Sequence, residues 1–310
     1  MGSPQTGKSK ITPMSLLNLR FLNSGYCLQF ERLTGVRSWR VRRFEAVFLH
    51  FKHPLHGECL IDTGYGPANW QQLRRLPWCL LWPLTPIPIG QTFGTSAHLR
   101  PLGIDPEAIQ LVFISHFHPD HVGGTRLFPA AKFVYRAQSF RELNSMPIRK
   151  QLRAAFIPGL LPPDFTARSL PISESQFSLP TALSSELRSL DYFGDSSLIW
   201  LDLPGHALGH SGFILKSRAG PTSAASHTTL YATDAFWDRR TLIGGSSTDR
   251  SGSPKRTSRR LPWLTRLAIH NYTEYQQTQQ RLLRLSATLA VEPLACHCPA
   301  TQAYVTQPTH

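Results

Sequence analysis

The sequence predicts an α/β (α+β) fold of mixed sheets covered by helices, and three observations carry that expectation. Apolar runs of strand length recur along the chain and alternate with helical patterns, without a fixed repeat. Potential metal ligands stand at the ends of several of those runs. The 310 residues are 41% hydrophobic and 17% charged, too apolar for a disordered chain and too polar for a membrane bundle, so a soluble protein with one large core is expected.

The elements follow in order. Residues 1–13 are polar and rich in Gly, Ser and Thr, and are expected to form a flexible leader ahead of a single domain over 14–310. Gly2, Gly7, Lys8 and Ser9 satisfy a P-loop spacing, but no strand precedes Gly2 to aim backbone amides at a phosphate, and nucleotide binding there is rejected. Runs 44–51 and 58–62, joined by His53-Pro54-Leu55-His56-Gly57, predict a hairpin. Further strands are predicted over 111–115, 132–135, 198–203, 212–216 and 230–233. Helices are predicted over 69–76, 138–146 and 274–290; the last has Thr273 and Gln276 as a capping box and Tyr275, Leu282, Leu285 and Leu289 on one stripe.

Two segments read as insertions. Residues 76–90 are rich in Pro, Trp and Leu, too short and too often broken by proline to span a membrane, and are expected to be a buried loop or an apolar rim over a binding site. Residues 239–260 carry seven Lys/Arg against Asp249 alone and are expected to be a mobile exposed loop. They contribute to a net charge of +14, which keeps nucleic acid, anionic lipid and acidic substrates in view as partners. Five cysteines, an odd and sparse set, do not read as a disulfide frame and point to a reducing, cytoplasmic compartment.

The chemistry is concentrated after the strand over 111–115. His116-Phe117-His118-Pro119-Asp120-His121-Val122-Gly123-Gly124 places four potential ligands in six residues. Histidines two apart in an extended turn project to one side and can clamp one ion, while Asp120 and His121, where a helix begins, can face a second. Imidazoles packed together without metal would leave polar atoms unpaired. Gly123 and Gly124 are expected to let the backbone pass beneath the metals. Downstream, Pro204-Gly205-His206, Tyr231-Ala232-Thr233-Asp234 and Ala295-Cys296-His297-Cys298 each set a ligand at the end of an apolar run.

On these motifs, in order from Asp62 to His297, the chain resembles the metallo-β-lactamase-fold hydrolases. The resemblance implies a four-layer αββα sandwich, with His116, His118 and His206 holding one metal, Asp120, His121 and His297 the other, and Asp234 bridging them. It also implies that Asp62, in Leu60-Ile61-Asp62-Thr63-Gly64, supports the site from behind the ligands. His210 matches no ligand and is expected to be structural; Cys296 and Cys298 read as small buried hydrophobes. Two divalent ions, Zn²⁺ foremost although Fe²⁺, Mn²⁺ or Co²⁺ suit the same donors, would share a water, lower its pKa towards ~7 and polarise a carbonyl or phosphoryl oxygen. Asp120 would then accept the proton and return it to the leaving group.

Within that fold the chain is closest to N-acyl homoserine lactone lactonases, through Asp62-Thr63-Gly64-Tyr65-Gly66, the long stretch before His116, Phe193-Gly194-Asp195-Ser196-Ser197, and Asp234-Ala235. It departs at Trp237, where those enzymes commonly carry a Tyr that holds the substrate carbonyl; an indole N–H can donate but cannot act as a phenol does. The expected activity is opening of an ester or lactone, best matched by a quorum-quenching N-acyl homoserine lactone, with the acyl group resting on 76–90. A nucleic-acid phosphodiesterase and a thioesterase or glyoxalase-II-like hydrolase are the alternatives of the same fold, and a homodimer is one assembly compatible with it.

Overall fold

Period-two alternation builds the centre of the molecule, as the computed structural model, which describes residues 14–88, 98–179, 186–218, 220, 223, 225–243, 246–248, 254–256 and 261–306, makes visible. Strand β1 (Leu16–Phe30) pairs antiparallel with β2 (Val41–His53), and β2 sends Phe44, Ala46 and Phe48 into one apolar cluster and Val47, Leu49 and Phe51 into another. The sheet continues through β3 (Gly57–Ile61), β4 (Ile109–Phe113), β5 (Lys132–Arg136) and β6 (Ser169–Ile172). On the other side of β1 lies a second set. It comprises β7 (Ser189–Asp191), β8 (Leu198–Asp202), β9 (Ser211–Arg218), β10 (His227–Tyr231) and the late two-residue strand Pro293–Leu294. Among the described residues, strand pairing joins the two halves where Leu16 and Leu17 run parallel to Ser217 and Arg218.

Three buried clusters show how the halves stack. The inner one combines Val47, Leu49, Phe51 and Phe113 of the first half with Leu198, Trp200, Phe213 and Tyr231 of the second, so the two sheets face each other. The opposite face of the first half packs under α1 (Pro67–Leu73), α2 (Pro119–Val122), α3 (Ala137–Ser145) and α4 (Ile148–Arg153) with their loops. The opposite face of the second half, with Ile199, Leu201 and Ile214, packs under the long C-terminal helix through Leu282 and Leu285. The layers are helix, sheet, sheet, helix, as expected.

Local readings hold with small shifts at the ends, and two are corrected. The long helix runs Tyr272–Leu289, and its cap is Asn271, whose side chain accepts from the Glu274 amide at 3.2 Å, rather than the Thr273/Gln276 box. Thr278, one turn after Tyr275, completes the buried stripe and donates to the Pro204 carbonyl at 2.6 Å. Residues 239–260 are not a structureless loop: Arg239–Ile243 is a short helix and Ser246–Thr248 pairs with Pro254–Arg256. Arg239 bonds Glu292 and Arg240 bonds Asp238, so two of its cations are already partnered. Of 76–90, Trp78, Leu81 and Ile87 are core residues, whereas Leu76, Leu80 and Leu84 are exposed. The leader over 1–13 lies outside the described residues, where no helix is long and apolar enough to cross a membrane.

At the far end of the β2–β3 hairpin His53 is buried, accepts from the Leu55 and His56 amides on Nδ1 (3.1 and 3.2 Å), and meets Asp195 through Nε2 at 3.0 Å. Protonation would remove that acceptor. Burial holds the imidazole below its ordinary value, and Asp195 does not restore it; burial raises the Asp195 carboxyl, but bonds from Ser197 and His53 outweigh it and leave it low. Both folded values are depressed, so the unfolded chain binds more protons and stability falls with pH, first below about 6.5 and then again near 4. His53→Gln, which keeps an acceptor and a donor without titrating, is expected to flatten the upper part of that fall in urea midpoints; an unchanged pH slope refutes it.

Candidate metal centre

The abrupt end of β3 positions the first donor layer. Asp62 follows Ile61 at φ +60°, fully buried, and its carboxylate accepts from the Ser115 amide (2.8 Å), the Ser115 hydroxyl (2.7 Å) and His121 Nδ1 (2.7 Å). One carboxylate thereby ties the β3 end to the β4 end and fixes the His121 ring with Nε2 turned away from it. Ser115 also lies 3.0 Å from His116 Nδ1. Gly123 serves this layer by leaving room for a side chain: a Cβ there would stand 1.9 Å from the Asn69 side chain, which bonds the Gly66 amide and the Pro119 carbonyl.

The second half supplies the rest from its strand ends. Gly205, at φ +121°, has no room for a side chain because the Tyr275 backbone nitrogen would lie 2.1 Å from it, and the His270 and Asn271 amides donate to the His206 and Gly205 carbonyls at 3.0 and 2.8 Å. The long helix thus sets the turn that carries His206. His210 donates from Nδ1 to the Leu203 carbonyl (2.7 Å) and accepts the Asp234 amide on Nε2 (3.1 Å), which agrees with its expected structural role; burial lowers it to about 4. His297 is anchored by Nδ1 on the Glu45 carbonyl at 2.8 Å.

These parts converge. Side-chain donors of His116, His118, His206 and Asp234 lie within 4.8 Å of one another, and so do those of His121, Asp234, Cys296 and His297. Asp234 is common to both groups: one oxygen is 3.5 Å from His121 Nε2, the other 3.4 Å from His206 Nε2 and 3.2 Å from His297 Nε2. Asp120 stands beside the second group, 3.1 Å from His297 Nε2 and 3.8 Å from His121 Nε2. All seven expected positions are therefore brought together. Cys296 adds a sulfur that was read as a packing group, although it is also 3.3 Å from the Val47 carbonyl.

The donor set fits a pair of divalent cations. His116 Nε2, His121 Nε2, His206 Nδ1 and Asp234 Oδ1 are buried with no hydrogen-bond partner, and each such orphan costs about 1–3 kcal/mol unless something answers it. Burial keeps His116, His118 and His206 neutral, the form a metal needs. Burial would lower His121 and His297 as well, but Asp62 and Asp234 lead the carboxylates that raise them well above the ordinary value. Burial opposes ionisation of Asp234 and Asp120, yet the neighbouring imidazoles hold both carboxyls low.

Sequence reading missed Ser115 and Arg42. Ser115 is a small residue between a strand and a motif, and its position was its only signal. Arg42, half-buried on β2, donates to the Trp237 carbonyl (2.8 Å) and Asp238 (2.9 Å), and so holds the segment after Asp234 from a point 195 residues away. Trp237 meets His206 edge-on, ring centres 5.7 Å apart. A cavity of about 320 Å³ opens on His118 and His206, and no residue of 76–88 lines it; Pro83, Leu84 and Pro86 line a separate cavity of about 980 Å³ with Trp39 and Trp263. The expected rim thus faces a different hollow.

Fold and donor arrangement together define a class. The family model of the metallo-beta-lactamase superfamily matches residues 57–262, and the chain belongs to that superfamily. Among curated proteins it is similar to the gamma-lactamase FDB1 of Fusarium pseudograminearum, 27% identical over 136 residues (40% of this chain, 29% of that protein). It is also similar to the N-acyl homoserine lactonase AttM of Azorhizobium caulinodans, 29% identical over 162 residues (49% and 52%). The match thus spans about half, or less, of the length of these relatives. Among solved structures, the B. thuringiensis lactonase AiiA with N-decanoyl-L-homoserine bound aligns over 94% of this chain and 98% of its own, with TM-score 0.65 at 13% identity. The dizinc quorum-quenching lactonase AidC aligns over 94% and 92%, with TM-score 0.57 at 14% identity. At such identities the likeness is one of fold.

Proposed function

We propose that the chain is a metal-dependent hydrolase that opens an ester or lactone, with N-acyl homoserine lactones as the leading substrate class. The observation that carries this reading is the set of orphaned, inward-facing donors on two groups that share Asp234. In the proposal His116, His118 and His206 would hold one ion and Asp120, His121 and His297 the other, with Asp234 common to both groups and Zn²⁺ the first choice for these nitrogen and oxygen donors. Bound there, the ions supply Lewis acidity that brings the pKa of a water towards ~7 and polarises the scissile carbonyl.

The chain's own groups do the remaining work. Asp120, kept ionised, takes the proton from the attacking water and returns it to the leaving oxygen. Asp62 fixes the His121 ring through Nδ1, and Arg42 holds the Trp237 carbonyl so that the indole stays at the site. Trp237 is the proposed substrate contact, with its N–H as donor. The reading includes a single domain over 14–310 and a cytoplasmic setting, the latter supported by five cysteines that are all free.

The test is a panel of lactones, esters, thioesters, phosphodiesters and a β-lactam, assayed on metal-loaded protein. The expected result is turnover of lactones or carboxylic esters above all others. Selective cleavage of phosphodiesters, which the charge of +14 would favour, overturns the reading.

A further inference from the structure

The cavity beside His118 and His206 has a composition that a neutral acyl chain does not require. Its walls are apolar, with Phe117, Leu143 and Ile269 buried and Met146 and Leu208 half-buried, but its lining also includes Lys150 and Arg153 of α4, both exposed. Three residues apart, these cations share one face of the helix, where like charges repel by a few tenths of a kcal/mol. Neither has an acidic partner among the described residues. The arginines used structurally nearby are engaged by the fold: Arg136 bonds Glu174 and Asp202, Arg168 bonds Asp164, and Arg126 bonds the Gly159 and Leu161 carbonyls. Two unpaired cations are thus held together at the solvent side of an apolar hollow whose inner wall includes two metal-site histidines.

From this arrangement we infer that the cavity is a subsite for an anionic group, and that the preferred substrate is an ester or lactone whose acyl part carries a carboxylate across an apolar spacer. The inference rests on the hydrolase reading for the word "substrate" and on the cavity for the rest. With the scissile carbonyl at the histidines, the spacer lies along Phe117, Leu143 and Ile269, and the carboxylate meets Lys150 and Arg153. A volume of about 320 Å³ sits at the lower end of small-molecule sites, which suits one chain rather than a branched or polycyclic group. Each cation is at the protein surface, so the gain is screened by salt; a charge-assisted bond to one or both still raises specificity measurably.

The experiment uses the metal-loaded full chain and has a kinetic and a binding arm. In the first, monoesters of straight-chain dicarboxylic acids of four to ten carbons are compared with their neutral, methyl-capped counterparts. At the best length the charged substrate is expected to have a kcat/KM about tenfold higher, mainly through KM, and the ratio should shrink as salt is raised. The double variant Lys150→Gln/Arg153→Gln should bring the ratio to about one, while Arg149→Gln, exposed on the same helix but outside the cavity, should leave it unchanged. In the second arm calorimetry compares suberate with octanoate; suberate should bind more tightly, and the double variant should abolish the difference. If no ester is hydrolysed but the suberate preference and its loss are seen, the subsite stands and the reaction assignment falls. Equal handling of charged and neutral partners in both arms overturns the subsite, as does a preference that survives the double variant.

Discussion

Asp234→Asn is expected to bind about one metal or fewer per chain instead of about two, and to lose at least about a hundredfold in kcat/KM on the best substrate of the panel. The substitution keeps shape and volume but replaces one of two oxygens with an amide nitrogen, which cannot ligate a cation. Both oxygens are in use: Oδ1 is buried without a partner 3.5 Å from His121 Nε2, and Oδ2 lies between His206 and His297 at 3.4 and 3.2 Å. With the amide nitrogen in the Oδ2 place, His206 of one group and His297 of the other lose their shared oxygen; in the Oδ1 place, His121 loses its own. Elemental analysis with parallel kinetics decides it. Two tightly held ions and undiminished turnover would remove the shared carboxylate from the mechanism.

Asp62→Ala should be the most damaging change that touches neither ion nor substrate. It strips the Ser115 amide, the Ser115 hydroxyl and His121 Nδ1 of one common acceptor, and leaves a buried imidazole with its carboxylate gone, a loss of about 3–5 kcal/mol. Alanine also bears a backbone cost of about 1–2 kcal/mol at φ +60°, which Asp and Asn tolerate better. Asp62→Asn therefore separates the effects. It should fold close to normally in urea titrations yet bind metal about 10–100-fold more weakly, because the amide no longer sets the His121 ring as a carboxylate does. An Ala variant within about 0.5 kcal/mol of the parent would show that Asp62 only forms a turn.

The sequence was most legible where the signal is contiguous. His116 to His121 declares itself because four ligand-type side chains occur in six residues, and β2 to β5 and β8 to β10 because their apolar runs have strand length. Strand β1 was not foreseen. Asn18, Asn23, Ser24 and Gly25 interrupt its alternation, and the pairing with β2 slips register between Leu17 and Arg20 and again between Asn23 and Tyr26. Arg42 and Ser115 were invisible for another reason: what they do depends on groups brought near by the fold. Residues 76–90 were expected to be a buried loop or an apolar rim, and of those described Trp78, Leu81 and Ile87 are core while Leu76, Leu80 and Leu84 are exposed; which hollow the segment lines is decided by β1 and by Trp263, and no local pattern reports that.

The turn that carries His206 is tied to the start of the long helix. Its two carbonyls accept from the amides of His270 and Asn271 at the start of the long helix, and its glycine is pressed against Tyr275. Any transient opening that releases His206 must therefore fray the first turn of a helix that ends at Leu289, anchored on the second sheet by Leu282 and Leu285. The residence time of an ion that His206 would hold and the solvent-exchange lifetime of those two amide protons are then expected to follow one and the same local unfolding event.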